Sequence, residues 1–310
     1  MNEITVRAPA TVANVVCGFD CLAFALNEPF DEITVRLIEE NTVRIMHKDD
    51  FNLPVEAEKN VAGVVLLSML ETLDKNIGFE IEISKGIKPG SGIGSSAASA
   101  AGAAGAANKL LNDRFSKIEL VEFARNGELI AAGSRIADNV SACIFGGFTL
   151  VRAGEPVADV VALDFPPLFA TVIHPQIEIK TSEAREVLPK DVPLKTAVHQ
   201  WGNVGALVAG LQKKDYALVS RSLEDFVAEP FRKKLIPHFD ELKIESLKSG
   251  ALGGGISGSG PSVFMLSENL ETAKKVADKM REIYSQTEIE FNIYVSEINA
   301  DGVKEAEARA

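Results

Sequence analysis

Residues Lys88 to Leu111 read KPGSGIGSSAASAAGAAGAANKLL, a glycine and serine turn that runs straight into a segment of almost nothing but alanine and glycine. A turn free of Cβ atoms lets several backbone N–H groups converge on one anion at the positive end of the following helix. Small residues behind the turn let that helix pack close to its neighbours. The pattern predicts a strand, a bare turn over Gly90, Ser91, Gly92, Ile93 and Gly94, and a helix that starts at or near Ser95. In such a site the backbone is the binding group, and bulk would hold phosphates away.

Two other phosphate motifs compete. Gly92-x-Gly94-x-x-Ala97 matches the alanine form of the dinucleotide fingerprint, but that unit needs a second parallel strand with an acidic residue about twenty residues on. The residues there, FSKIELVEFARN, have helical spacing, which leaves a nicotinamide oxidoreductase as a distant alternative. A Walker A loop fails because no Gly-Lys-Ser/Thr follows. The plain alternative is a glycine-rich hairpin or a buried small-residue helix.

The chain carries a formal charge of −12, which argues against nucleic acid or an anionic membrane as its main partner. A bound anion must then find local positive potential from a helix N-terminus, a few placed arginines or a metal ion. With 310 residues, 46% of them hydrophobic and 25% charged, the composition is that of a globular chain with room for two domains. No window approaches the roughly eighteen consecutive apolar residues of a membrane span. The opening MNEITVRAPA lacks the basic-then-apolar order of a secretory signal, so a cytoplasmic protein is expected. Cys17, Cys21 and Cys143 form no paired framework and lie far in sequence from the histidines; small buried thiols are expected rather than zinc ligands.

EITVRLIEENTVRIMH and FEIEISK alternate as half-buried strands, and NVAGVVLLSMLETLDK between them has helical spacing with Asn60 as N-cap. SKIELVEFARNGELIAAG predicts a helix capped by Ser116, and CIFGGFTLVRAGEP a strand leaving a glycine turn. Gly154 to Pro156 is the first punctuation that suggests a boundary, dividing the chain into residues 1–154 and 155–310. Beyond it, FATVIHPQIEI, SVFMLS and EFNIYVSEI read as strands, and LKTAVHQWGNVGALVAGLQ, LIPHFDELKIESLKSG and LETAKKVADKMREIYSQ as helices. Strands and helices mix without a strict parallel repeat, so two α+β domains are expected rather than one doubly wound sheet.

A second glycine-dense stretch, Gly253 to Gly260 in SGALGGGISGSGPSVFML, reads as a loop between a helix and a strand. Together with PATVANVVCGFDCLAFAL near the N-terminus it completes a three-part constellation that resembles the three motifs of the GHMP small-molecule kinases. ADNVSACIFGG is similar to a central motif of that family, and KTSEAREVLP and AEPFRKKLIP to two substrate segments. The resemblance runs from about Val6 to the final strand. It implies an N-terminal ATP-binding domain of the ribosomal-protein-S5 domain-2-like type, a C-terminal ferredoxin-like domain, an active site between them, and a homodimer. The form of the motifs implies ATP and Mg2+ as cofactors and L-homoserine as the alcohol that is phosphorylated, a step of threonine biosynthesis. Another small alcohol, or nucleotide binding with impaired turnover, is the alternative.

The resemblance also implies roles for single residues. Lys88, Pro89, Gly90, Ser91, Gly92, Ile93, Gly94, Ser95, Ser96, Ala97 and Ala98 match the ATP loop, and Asn60 a position near adenine that could equally be only a cap. Ser96 and Glu128 match the magnesium ligands; left to itself a helical glutamate is usually a solvated charge. Asn14 and Asp20, otherwise turn formers, match positions that grip the substrate ammonium. Arg185 and Arg232 match the arginines that bind its carboxylate, for which the planar guanidinium fork is suited; the RKK run could otherwise be a solvated basic face. Asp138 and Asn139 would face the transfer centre, and Thr181 would assist near the γ-phosphate or simply cap its helix. A general base is not required if positioning and charge stabilisation carry the reaction. Two departures from the family pattern stand out: Ile136 where histidine is usual, and Pro89 one position later than expected.

Overall fold

In the computed structural model, which describes residues 2–73, 76–133, 135–179 and 181–307, the chain opens with β1 (Glu3–Ala13), β2 (Leu22–Ile38) and β3 (Val43–His47). There follow α1 (Val61–Leu70), β4 (Gly78–Ser84), α2 (Ser95–Leu110), α3 (Lys117–Ala132), α4 (Asp138–Phe145), β5 (Phe148–Ala153) and β6 (Asp159–Leu163). These strands form one sheet in the order β1-β2-β4-β3, with β5 pairing both β2 and β6. All its pairs are antiparallel except β3 with β4. The expected alternation holds along β2: Ile33 and Val35 are wholly buried, while Thr34 and Arg36 lie on the half-exposed face.

α2 lies on β1 and β2 and against α1 and α3. Its alanines Ala97, Ala98, Ala100, Ala101, Ala103 and Ala104 are fully buried, so most of the small-residue run serves close packing between a helix and a sheet. Local signals place the flanking helices. Asn60 caps α1 by accepting from the amides of Ala62 and Gly63, and Ser116 with Glu119 forms a reciprocal capping box at the start of α3. The helix over FSKIELVEFARN removes the second strand that a dinucleotide fold needs.

The rest of the chain supplies β7 (Phe169–Pro175), α5 (Thr181–Glu186), α6 (Leu194–Lys213), α7 (Tyr216–Ser222), α8 (Glu229–Arg232), α9 (Phe239–Lys248), β8 (Gly253–Ile256), β9 (Val263–Ser267), α10 (Leu270–Tyr284) and β10 (Phe291–Glu297). A second, antiparallel sheet runs β10-β7-β9-β8, and side chains from α9 and α10, among them Leu242, Val276 and Met280, fill a core with its residues Ile173, Val263 and Met265. β8 corrects the sequence expectation of a loop over Gly253 to Gly260: residues 253–256 are a strand paired with β9. The glycines are there for close approach, since a Cβ on Gly254 would lie 2.0 Å from the Phe264 carbonyl oxygen. The first sheet also continues past the Gly154 to Pro156 turn, because β6 pairs with β5. The chain passes to the second sheet only after Leu163, and β11 (Lys304–Glu305) returns to pair with β1.

The two sheets share contacts that hold a cleft between them. Phe24 of β2 meets Phe264 of β9 edge-on at 5.5 Å between ring centroids. The Ser296 hydroxyl accepts from the amides of Asn27 and Glu28 at 2.8 and 3.0 Å. No helix among the described residues is long and apolar enough to cross a membrane.

Candidate active site

A cavity of about 460 Å3 is lined by residues from both halves of the chain, including Asn14, Asp20, Asn60, Ser96, Glu128, Asp138, Arg185 and Arg232. Its floor is the glycine-serine turn. Gly90, Gly92 and Gly94 all have positive φ, at 75°, 80° and 73°, and Gly94 caps α2 without offering a side chain. This leaves the N–H groups of the first turn of α2 facing an open space, as an anion site requires.

The turn is held from behind by the second glycine stretch. Ser257 donates its hydroxyl to the Gly92 carbonyl at 2.7 Å, and Ser262 donates to the Ser91 carbonyl at 2.6 Å. A Cβ on Gly92 would lie 2.4 Å from the Gly260 carbonyl oxygen. The two glycine-rich segments are thus partners in packing. Beneath them Lys85, its side chain only 1% exposed, pairs with the buried Asp31 and donates to the Ser95 carbonyl and the Ser99 hydroxyl at 2.7 and 2.9 Å. Asp31 also accepts from the amides of Gly86 and Ile87. A buried cation therefore underlies the turn, satisfied as buried ions must be.

Glu128 faces this floor from α3. It is 6% exposed and lies beside the Ser96 side chain, and its Oε1 is buried without any hydrogen-bond partner. Burial raises its carboxyl to about 7; Ser96 and Lys85 act the other way, and Asp138 adds to the rise. An orphaned carboxylate oxygen beside a hydroxyl is a donor pair suited to a hard cation such as Mg2+, which takes few protein oxygens and keeps water and phosphate for the rest.

Asp138 opens α4, and burial raises its carboxyl to about 7, with Asp20 adding to the rise and the Asn139 amide and Arg185 opposing it. Its Oδ1 accepts from the Asn139 amide at 2.7 Å. The Asn139 side-chain oxygen accepts from the Thr11 hydroxyl at 2.7 Å, which leaves the NH2 end of the amide to donate.

The opposite wall comes from the loop after β1. Asn14, Val15 and Val16 have φ of 69°, 40° and 63°, a left-handed turn that costs β-branched residues about 1–2 kcal/mol each. It aims the Asn14 side chain inward: Nδ2 donates to the Gly258 carbonyl at 2.8 Å and Oδ1 accepts from the Asp20 amide at 3.0 Å. Arg185 lies 3.4 Å from the Asp20 carboxylate. Arg232 is 5% exposed, donating to the carbonyls of Ala184 and Gly258 and stacking over the Phe19 ring, so it is not part of a solvated basic face. The wall therefore offers both a carboxylate and guanidinium groups, as a zwitterionic amino acid requires.

Several residues matched to the ATP loop do not line the cavity. Lys88 reaches away to the Gln176 side chain at 2.6 Å. Ile93, Ala97 and Ala98 are buried in the core. Asn60 does line the cavity, but its amide is committed: Oδ1 caps α1, and Nδ2 contacts the Pro54 carbonyl and His47 Nε2. It lines the pocket wall with its side-chain amide already engaged. The side chain of Thr181 lies outside the described residues. Sequence reasoning missed Thr11, Lys85, Ser257 and Ser262. Lys85 was open to notice as a lysine at the end of an alternating strand, but its partner Asp31 is distant in sequence.

Comparison with known proteins agrees with this arrangement. Residues 60–147 match the model of the GHMP kinases N terminal domain and residues 207–286 that of the GHMP kinases C terminal domain. A homoserine kinase of Chlorobium phaeobacteroides is 47% identical, covering 98% of this chain and 99% of its own. The crystal structure of homoserine kinase from Cytophaga hutchinsonii has a TM-score of 0.94 at 48% identity over 99% of this chain and 98% of its own. A mevalonate kinase of L. major shares the fold alone, with a TM-score of 0.73 at 15% identity over 96% of each chain.

Proposed function

The chain belongs to the GHMP kinases, and on that premise we propose that it transfers the γ-phosphoryl group of ATP to the side-chain hydroxyl of L-homoserine, giving O-phospho-L-homoserine and ADP. The observation that carries the reading is one cavity whose lining brings together two chemically distinct sets of groups. One set is a bare helix N-terminus, a buried lysine and an orphaned carboxylate oxygen on Glu128. The other is Asp20, Arg185 and Arg232. The family match and the high identity to relatives named homoserine kinase support it.

The backbone of Gly90 to Ser96 receives the phosphates. Ser96 and Glu128 would hold Mg2+, which when bound neutralises charge on the transferring phosphoryl group. Arg185 and Arg232 take the carboxylate of the amino acid, and Asp20 and Asn14 its ammonium. These contacts aim the acceptor hydroxyl along the line of attack, and Asn139, held by Thr11, donates its amide toward the reacting groups. Holding two reactants in line accounts for most of what such a site must supply. Asp138 adjoins this centre, and its raised carboxyl equips it to accept the hydroxyl proton near neutral pH.

Ile136 lines the cavity and brings an apolar surface to the acceptor site, against which the methylenes of the substrate pack. Homodimeric assembly, a cytoplasmic location and a division of the chain after Leu163 into ATP-binding and ferredoxin-like parts complete the reading. ADP release with ATP and Mg2+ should depend on L-homoserine and be much weaker with L-serine, L-threonine or mevalonate. Turnover of mevalonate alone would assign a different alcohol to the same machinery.

A further inference from the structure

Arg125 is the largest side chain among those fully buried in the described structure. It lies on α3, one turn before Glu128, and is held in a polar cluster. Its Nη1 donates to both carboxylate oxygens of Glu122 at 2.8 and 3.0 Å, its Nη2 to Glu155 at 2.7 Å, and its Nε to the backbone carbonyl of Arg135 at 3.1 Å. Glu122 in turn binds the Arg135 side chain at 2.9 Å and the Ala158 amide at 2.8 Å. One guanidinium thus ties α3 to the β5–β6 turn and to the segment that leads into α4.

That segment is short and carries much of the site. Arg135 is followed by Ile136, which lines the cavity, and then by Asp138 and Asn139. α4 begins without a side-chain cap at Ala137; its first turn is held by Asp138 on the Asn139 amide and by Thr11 on the Asn139 side chain, and the bond to the Arg135 carbonyl fixes the chain just before it. We propose that Arg125 is a positioning residue for the transfer site: by gripping the Arg135 carbonyl from the helix that also bears Glu128, it sets where Ile136, Asp138 and Asn139 stand relative to Glu128. The inference rests on the phosphotransfer reading above. Its physical content is that a buried guanidinium with every nitrogen engaged holds its partners in fixed positions, and that a displacement of about 1 Å at a reacting centre costs about a hundredfold in rate.

The test uses the full chain with Arg125→Lys, which keeps the charge but cannot make the three-way fork, and with Glu155→Gln, which loosens its exposed end. Arg125→Lys is expected to lower kcat at least about tenfold while the KM for ATP moves less than about threefold, and to speed amide hydrogen exchange in peptides covering residues 135–145 but not in those covering α2. Glu155→Gln should show the same pattern more weakly, and decides the matter if Arg125→Lys does not fold. Unchanged kcat and exchange, or exchange that rises evenly across the chain, would overturn the proposal. Absence of homoserine turnover in the unaltered chain would count against the phosphotransfer reading instead, and the exchange pattern would then decide the positioning role by itself.

Discussion

Ser262, in the loop between β8 and β9, donates its hydroxyl to the carbonyl of Ser91 at 2.6 Å, so the phosphate turn of one half of the chain is fastened by the other. With the Ser257 bond to Gly92 this makes the floor of the site a joint product of both sheets. Each bond is worth about 1 kcal/mol. Replacing both serines by alanine should lower the thermal midpoint by a few degrees and raise the KM for ATP several-fold, with a smaller effect on the KM for homoserine; steady-state kinetics with each substrate varied separately makes the comparison.

Gly92 is the tightest point of that junction. With φ of +80° and a would-be Cβ 2.4 Å from the Gly260 carbonyl oxygen, Gly92→Ala combines backbone strain with overpacking and should cost more than about 2 kcal/mol. Calorimetric titration should find nucleotide affinity reduced at least about tenfold in the folded fraction.

The Glu128 carboxyl, raised from 4.5 to about 7, has consequences of definite sign. Because Mg2+ needs the ionised form, its affinity in the presence of nucleotide should fall about tenfold for each pH unit below that value. In the absence of metal the folded state binds the proton more tightly than the unfolded chain does. The group therefore costs no stability below the unfolded value of 4.5, and its cost is complete above about 7, where it reaches about 3 kcal/mol. Glu128→Gln should abolish activity yet melt several degrees higher than the unaltered protein in metal-free buffer near pH 8.5, with the two midpoints converging as the pH is lowered toward 5.

Arg185 is paired with Asp20 at 3.4 Å and is about two-fifths exposed. A substrate carboxylate would exchange that long contact for a charge-assisted one. Arg185→Ala should raise the KM for homoserine about tenfold or more while the KM for ATP moves less than about threefold; equal changes in both would remove Arg185 from the acceptor end.

Much of this is legible in the sequence, for identifiable reasons. α1, α3, α6, α9 and α10 announce themselves by apolar periodicity, and α1, α3 and α10 carry side-chain caps at Asn60, Ser116 and Asn269. α4 gives no such notice, being only eight residues long, without a side-chain cap and followed at once by two glycines. β8 was hidden because GGGI reads as a loop when the strand that crosses it cannot be seen. The residues of the cavity could be named from the family motifs. Their supports could not: the Lys85–Asp31 pair, the Thr11–Asn139 bond and the Ser257–Gly92 bond join residues 54, 128 and 165 positions apart, and nothing local marks Lys85, Asp31, Thr11 or Ser257 as a support.

The most direct measurement is phosphorus NMR of a reaction containing the protein, ATP, Mg2+ and L-homoserine. The account predicts a new phosphomonoester signal, matching O-phospho-L-homoserine, that grows in step with ADP and is absent without the amino acid. ADP accompanied only by inorganic phosphate, or no change dependent on homoserine, would contradict it.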